Sequence, residues 1–206
     1  MATDLESARD DLAYMRSLVT GSGPMQASIG ECFFWAGIIY GAQCGTHVLQ
    51  ELGIVPWAAP WGVVVGLVPT LIFIPVLVWI FWKDRKNKPT GVGARALNGV
   101  FQGAGMANGV MSIVFAVGAY KADSALIWFY HPIVVCMFQG VAWFVAYTVL
   151  RHAWLGWVAV GWFAATVTLG FVVGNGMAYL LTLTFALFVL MALPGWLIWR
   201  GAKRAA

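Results

Sequence analysis

The sequence predicts an all-α, polytopic membrane protein. Six transmembrane helices are expected, with both termini inside, preceded by an amphipathic cytoplasmic N-terminal helix. Three observations carry this. Of 206 residues, 61% are hydrophobic and 10% charged, against about 25% charged in a soluble domain. A water-soluble globule of this size still exposes much of its surface and has nowhere to hide that apolar excess. The apolar residues also gather into six runs, each near the roughly 20 residues that a bilayer demands. Finally, the basic residues collect in alternate loops.

Residues 3–20, TDLESARDDLAYMRSLVT, come first. Leu5, Ala8, Leu12, Met15 and Val19 recur at three- and four-residue steps and form one apolar stripe. Thr3 with Glu6 fits a capping box, and Asp4, Glu6, Asp10 and Asp11 crowd the turns where acids suit the helix dipole. Gly21-Ser22-Gly23-Pro24 then breaks the helix. No cleavable signal peptide is expected, because the first 27 residues lack the apolar core of one. Such a helix lies on the membrane or the bundle, or docks a cytoplasmic partner or a second copy. Its acidic face is poorly matched to anionic lipid.

Span one is expected at about 28–50 and span two at about 61–82, the latter with Pro69 and Pro75 inside it. Proline is tolerated in a span where neighbours satisfy the freed carbonyls. Residues 83–95, KDRKNKPTGVGAR, hold five basic residues against one acid. Span three, about 97–119, carries the pairs Gly99/Gly103 and Gly105/Gly109, spaced for close helix contact. Span four is expected at about 126–149, with His131-Pro132 near its start. Arg151 and His152 make a tight turn into span five, about 153–173. Gly174-Asn175-Gly176 is a minimal hairpin into span six, about 177–199, and 201–206 form a basic tail. The inward-ending spans close alike, as WIFWK, YTVLR and LIWR; any span ending at a basic interface would do the same.

Orientation follows from charge. With the N-terminus inside, the inner segments carry Arg9, Arg16, Lys83, Arg85, Lys86, Lys88, Arg95, Arg151, Arg200, Lys203 and Arg204, and the outer loops only Lys121. That asymmetry is the positive-inside pattern. A net charge of +4, clustered in this way, marks a membrane side and not a nucleic-acid partner.

Span one concentrates the polar residues that a bilayer resists. Glu31 lies about one turn from its inner end. It either serves an ion, proton or amine, or is paired with a basic residue such as Arg95. Gln43 on the same helix, Asn98, Gln102 and Asn108 on span three, and Gln139 on span four either line a ligand or ion path or bond to neighbouring helices. His47, Glu51 and His131, with Asp123 nearby, fall at the outer level. Those residue types suit a divalent metal, or haem held between the histidines; two unrelated interfacial histidines fit equally. Glu31 and His47 are sixteen residues apart, roughly 24 Å along a helix, and cannot share one substrate atom. Gly37, Gly41 and Gly45 between them form a packing seam. The glycine stripes serve internal packing or a homo-oligomer. Cys32, Cys44 and Cys136, odd in number and inside apolar runs, argue against a disulfide framework. No H-E-x-x-H, G-x-S-x-G or Walker pattern occurs, so no catalytic residue and no cofactor are assigned.

The run Leu12-Ala13-Tyr14-Met15-Arg16-Ser17-Leu18, then Gly30 and Phe34-Trp35-Ala36-Gly37-Ile38-Ile39-Tyr40-Gly41, and the closing Ala192-Leu193-Pro194-Gly195-Trp196, resemble a family of uncharacterised bacterial inner-membrane proteins. The resemblance covers about the first 45 and the last 15 residues. It implies a multi-helix protein of the inner membrane with no assigned activity, sometimes encoded beside a small winged-helix regulator, and it assigns no site residue.

Three functions are then open. The first is a non-enzymatic sensory, regulatory or scaffold bundle that contacts a cytoplasmic partner through residues 3–20. The second is a small transporter or channel with a polar path through spans one, three and four. The third is a metal or haem protein using His47 and His131.

Overall fold

The computed structural model describes residues 27–56, 61–85 and 92–205, and all their regular structure is helical. The N-terminal segment 3–20 lies outside the described residues. The helices are α1 (Ala27–Glu51), α2 (Trp61–Asp84), α3 (Val92–Lys121), α4 (Ala125–Leu150), α5 (Ala153–Val172) and α6 (Gly176–Ala186). A π-helical turn, Leu187–Ala192, joins α6 to α7 (Leu193–Ala205), so that the last three pieces form one rod. Among the described residues, five helices are long and apolar enough to cross a membrane: α2, α3, α4, α5 and the final rod. Helix α1, read from the sequence as the first of six spans, has the length, at 25 residues, but is not among the five. Glu31, Gln43, His47, Gln50 and Glu51 dilute its apolar character. The final rod extends to Ala205 and takes in Lys203 and Arg204.

Helix α1 packs on α2 and along the whole final rod; the rod packs on α5, α5 on α4, and α4 on α3. Ring contacts join α1 directly to α3 and α4 across the bundle. Phe33 of α1, Phe101 of α3 and Trp143 of α4 meet edge to face with centroids 5.2, 5.3 and 5.5 Å apart, a favoured geometry for aromatic quadrupoles. Trp154 of α5 extends the cluster from Trp143, and Phe34 reaches Trp199 of α7. These contacts bring the starts of α1, α3 and α5 together with the ends of α4 and α7. Lys83, at the end of α2, reaches Glu31 at the same level. Consecutive helices therefore run antiparallel. The basic residues Lys83, Arg85, Arg95, Arg151, Arg200, Lys203 and Arg204 gather at this end, with Lys121 at the other.

The faces turned outward are as apolar as the core. Leu71, Ile113 and Phe171 are 64%, 67% and 87% exposed, which suits a hydrocarbon solvent.

The tightest seam joins α1 to the final rod. A Cβ built on Gly37 would come within 2.5 Å of the Ala192 nitrogen and 2.7 Å of the Leu187 oxygen. On Gly30 it would meet the Trp199 nitrogen at 2.6 Å, and on Gly195 the Phe34 nitrogen. Only glycine permits two backbones to approach so closely. At Gly41 the neighbour is the Phe188 ring, 3.0 Å away, and at Gly45 the Thr184 methyl, at 3.9 Å. Gly99, Gly103, Gly105 and Gly109 of α3 have nothing within 4 Å of an added Cβ, so their face is open among the described residues.

Four prolines lie inside the described helices, Pro69 and Pro75 in α2, Pro132 in α4 and Pro194 in the final rod, and at Pro69, Pro132 and Pro194 a side chain from another helix supplies a donor. Proline has no N–H for the carbonyl four residues back, and its ring disturbs the bond to the next carbonyl. Ahead of Pro194, the orphaned carbonyl is that of Leu190, and the Trp162 indole Nε1–H of α5 donates to it at 3.1 Å. The Leu193 N–H reaches back five residues to the Phe188 oxygen, the π pattern. Ahead of Pro132, the Tyr179 hydroxyl donates to the Phe129 oxygen at 2.5 Å. Ahead of Pro69, Gln43 Nε2 approaches the Gly66 oxygen at 3.4 Å, long and weak by comparison.

Trp162→Phe keeps the ring and removes the donor. It is expected to lower stability by about 1–3 kcal/mol, the cost of an unsatisfied buried carbonyl, read as the thermal midpoint in detergent micelles. Pro194→Ala restores a backbone N–H, so Trp162→Phe should cost clearly less in that background. Equal costs in both backgrounds would sever the link between Trp162 and the proline.

Candidate functional site

The charged centre of the bundle is Glu31, one turn into α1. Its side chain is 3% exposed, and Lys83 Nζ from the last turn of α2 donates to its Oε2 at 2.6 Å. The partner is thus Lys83, not Arg95. Lys83 is 46% exposed, and its ammonium lies 4.6 Å from the Trp79 ring centroid. Its apolar stem lets it leave α2, cover Trp79 and still reach the carboxylate. Burying a charge unpaired is costly, so this contact neutralises α1 where it packs most closely. The basic end carries three further cation–π pairs: Arg85 over Trp82 at 5.6 Å, Arg200 over Trp196 at 5.0 Å and Lys203 over Trp199 at 4.2 Å. Each joins residues three or four apart on one helix face.

The histidines have separate partners. His47 Nδ1 is 2.8 Å from Gln50 Oε1. An amide oxygen only accepts, so this nitrogen carries the proton. His131 Nε2 is 2.9 Å from Ser112 Oγ, which also lies 2.9 Å from the Asn108 carbonyl oxygen. The single hydroxyl proton goes to the carbonyl, so Ser112 accepts the Nε2–H of His131. The His131 ring stacks on Trp128, with centroids 5.1 Å apart and planes 22° from parallel. Glu51 is exposed, and its carboxylate faces the start of α6 near Gly176. Among the described residues, no three His, Cys, Asp or Glu converge as a metal would need. The three cysteines are free thiols, Cys136 buried and Cys32 and Cys44 half-buried.

The uncharged polar residues are spread across the bundle. Gln43 turns to α2 and the Gly66 carbonyl. Asn98 is half-buried and Gln102 exposed on α3. Asn108 Oδ1 and Gln139 Oε1, on the packed pair α3 and α4, are buried without a hydrogen-bond partner, as are Gln50 Nε2 and Trp143 Nε1. Five residues that complete these contacts were not singled out in the sequence: Lys83, Gln50, Ser112, Trp162 and Tyr179. Gln50 and Ser112 were accessible to a helical-spacing argument, being three and four residues beyond His47 and Asn108. Trp162 and Tyr179 carried no such signal, since their acceptors lie on other helices.

No protein-family model, no curated protein and no solved structure matches this chain.

Lys83→Met leaves the buried Glu31 carboxylate alone. A loss of about 1–3 kcal/mol is expected, at the low end because Lys83 is half in solvent. The midpoint of thermal unfolding in micelles reads it, and Glu31→Gln combined with Lys83→Met should recover most of the loss. An unchanged midpoint in Lys83→Met would mean that the pair does not hold α1 to α2.

Proposed function

We propose that this chain is a multi-pass protein of the bacterial inner membrane, with both termini cytoplasmic, that works as a non-enzymatic sensory, regulatory or scaffold bundle. In this reading residues 3–20 form the arm that contacts a cytoplasmic partner. The observation that carries it is how the intramembrane polar groups are used. Glu31 is engaged by Lys83, His47 by Gln50, His131 by Ser112, and Gln43 by a backbone carbonyl of α2. Groups held in such bonds stabilise a fixed packing. The gathering of basic residues at one end supports the assignment of that end to the cytoplasm. The charged arm, tied to the bundle through Gly21-Ser22-Gly23-Pro24, then lies on the same side. Affinity capture from membranes, with the full chain and with residues 1–20 removed, tests this. Loss of one or more specific cytoplasmic partners on truncation is expected; an identical partner set would sink the proposal.

A second reading, a small transporter or channel, is favoured by one observation. Asn108 Oδ1 and Gln139 Oε1 are buried between packed helices with no partner, which is costly in an apolar medium unless something visits them. On this reading Gln139→Leu abolishes an ion or solute flux that wild-type protein supports in liposomes. Flux no greater than in protein-free liposomes, across a broad substrate panel, would count decisively against it.

A further inference from the structure

An apolar groove of about 260 Å³ opens between α5 and α7. Trp154, Trp157 and Val158 form one wall, and Leu193, Pro194 and Leu197 the other. The backbone explains why it is there. Trp162 pins α5 to the Leu190 carbonyl, and the Leu190 side chain presses on Gly161, where an added Cβ would lie 2.7 Å from it. Past this point α7 packs on α1, while α5 packs on α4. The two walls part, and Pro194 sits where they do. The groove is open along one side and its lining is almost wholly apolar, which suits a flexible hydrocarbon chain.

The charge carried by the groove's own two helices, α5 and α7, is of one sign. Leu193, Leu197, Arg200 and Arg204 recur at steps of four, three and four, so the apolar wall continues into two arginines on the same stripe. Arg200 begins about 4.5 Å along the axis beyond Leu197. Arg151 stands in the turn that enters α5, one turn ahead of Trp154. All three arginines are exposed. From residue 124 to residue 206 the sequence contains no Asp or Glu, so no carboxylate on α4 to α7 competes for them. Arginine presents a planar fork of donors that matches phosphate oxygens, and the exposed Trp157 indole suits the boundary between headgroup and hydrocarbon.

We propose that this groove binds one acyl chain of an anionic phospholipid, with its phosphate on Arg200 and Arg151 and Arg204 beside it. The inference rests on the bilayer reading above and adds a specific lipid class and place. Zwitterionic choline lipids meet the same groove but bring a cation towards the arginines, so they bind less well.

Native mass spectrometry of the full chain in detergent, with phosphatidylglycerol or phosphatidylcholine of identical acyl chains, tests it. Phosphatidylglycerol should be retained on the order of tenfold more tightly. Arg151→Gln combined with Arg200→Gln should reduce it to the phosphatidylcholine level, whereas Arg95→Gln should leave it unchanged. Leu193→Trp, which fills the groove, should reduce both lipids; the arginine variants change only surface groups and carry the test should that one fail to fold. Equal retention of the two lipids, an Arg95→Gln effect as large as that of the arginine pair, or retention that survives both the arginine pair and a folded Leu193→Trp would overturn the proposal. Flotation with liposomes separates the two levels: a chain that fails to float fails the bilayer reading, while one that floats without lipid preference in the first assay overturns the groove alone.

Discussion

The structure depends on one constraint: backbone polar groups in an apolar medium must find partners within the protein. Three helices are interrupted by proline, and at Pro69, Pro132 and Pro194 a side chain from another helix donates to a carbonyl three or four residues back. Trp162 serves Leu190, Tyr179 serves Phe129 and Gln43 serves Gly66. These bonds tie α5 to the final rod, the rod to α4, and α1 to α2, so the same contacts that make the prolines tolerable also hold neighbouring helices in register. The π turn at Leu187–Ala192 belongs to this economy of donors, because the Leu193 N–H shifts its acceptor by one residue just before Pro194.

Helix α1 is the second organiser, and it works through smallness and neutralisation. Gly30 and Gly37 admit the backbone of the rod, and Gly195 returns the contact from the other side. A seam that close excludes solvent, and the one carboxylate within it is compensated by Lys83. Of the polar residues that dilute α1, Glu31 and Gln43 are engaged by α2, while His47 and Gln50 bond to each other within α1. It is therefore an interior helix, covered by protein along much of its length, and need not be as apolar as α2, whose outward face is almost wholly hydrocarbon.

Much of the architecture was legible in the sequence. The helix positions follow from run length and flanking charge, and the expected spans at 61–82, 97–119, 126–149 and 153–173 each lie within a few residues of a helix. The π turn was not legible, because it arises from Pro194 together with the packing of Gly37 against Ala192. The site was less legible still. Glu31 stood out by composition, but Lys83 looked like an ordinary interfacial lysine. Gln43 was read as lining a path or bonding a neighbouring helix, and its amide lies against the Gly66 carbonyl of α2. The metal reading of His47 and His131 placed them at one level, yet level says nothing of azimuth, and each ring turns to a different partner.

By itself the sequence determined the solvent, the length of the helices and the end at which positive charge collects, because these are sums over local composition and run length. Tertiary structure decided which donor meets which carbonyl, which lysine meets Glu31 and where the rod leaves α5 to open a groove. Those outcomes join residues 23 to 52 positions apart. They are set by the rotation of each helix about its axis, a quantity that weakly amphipathic, uniformly apolar helices leave unspecified until they pack.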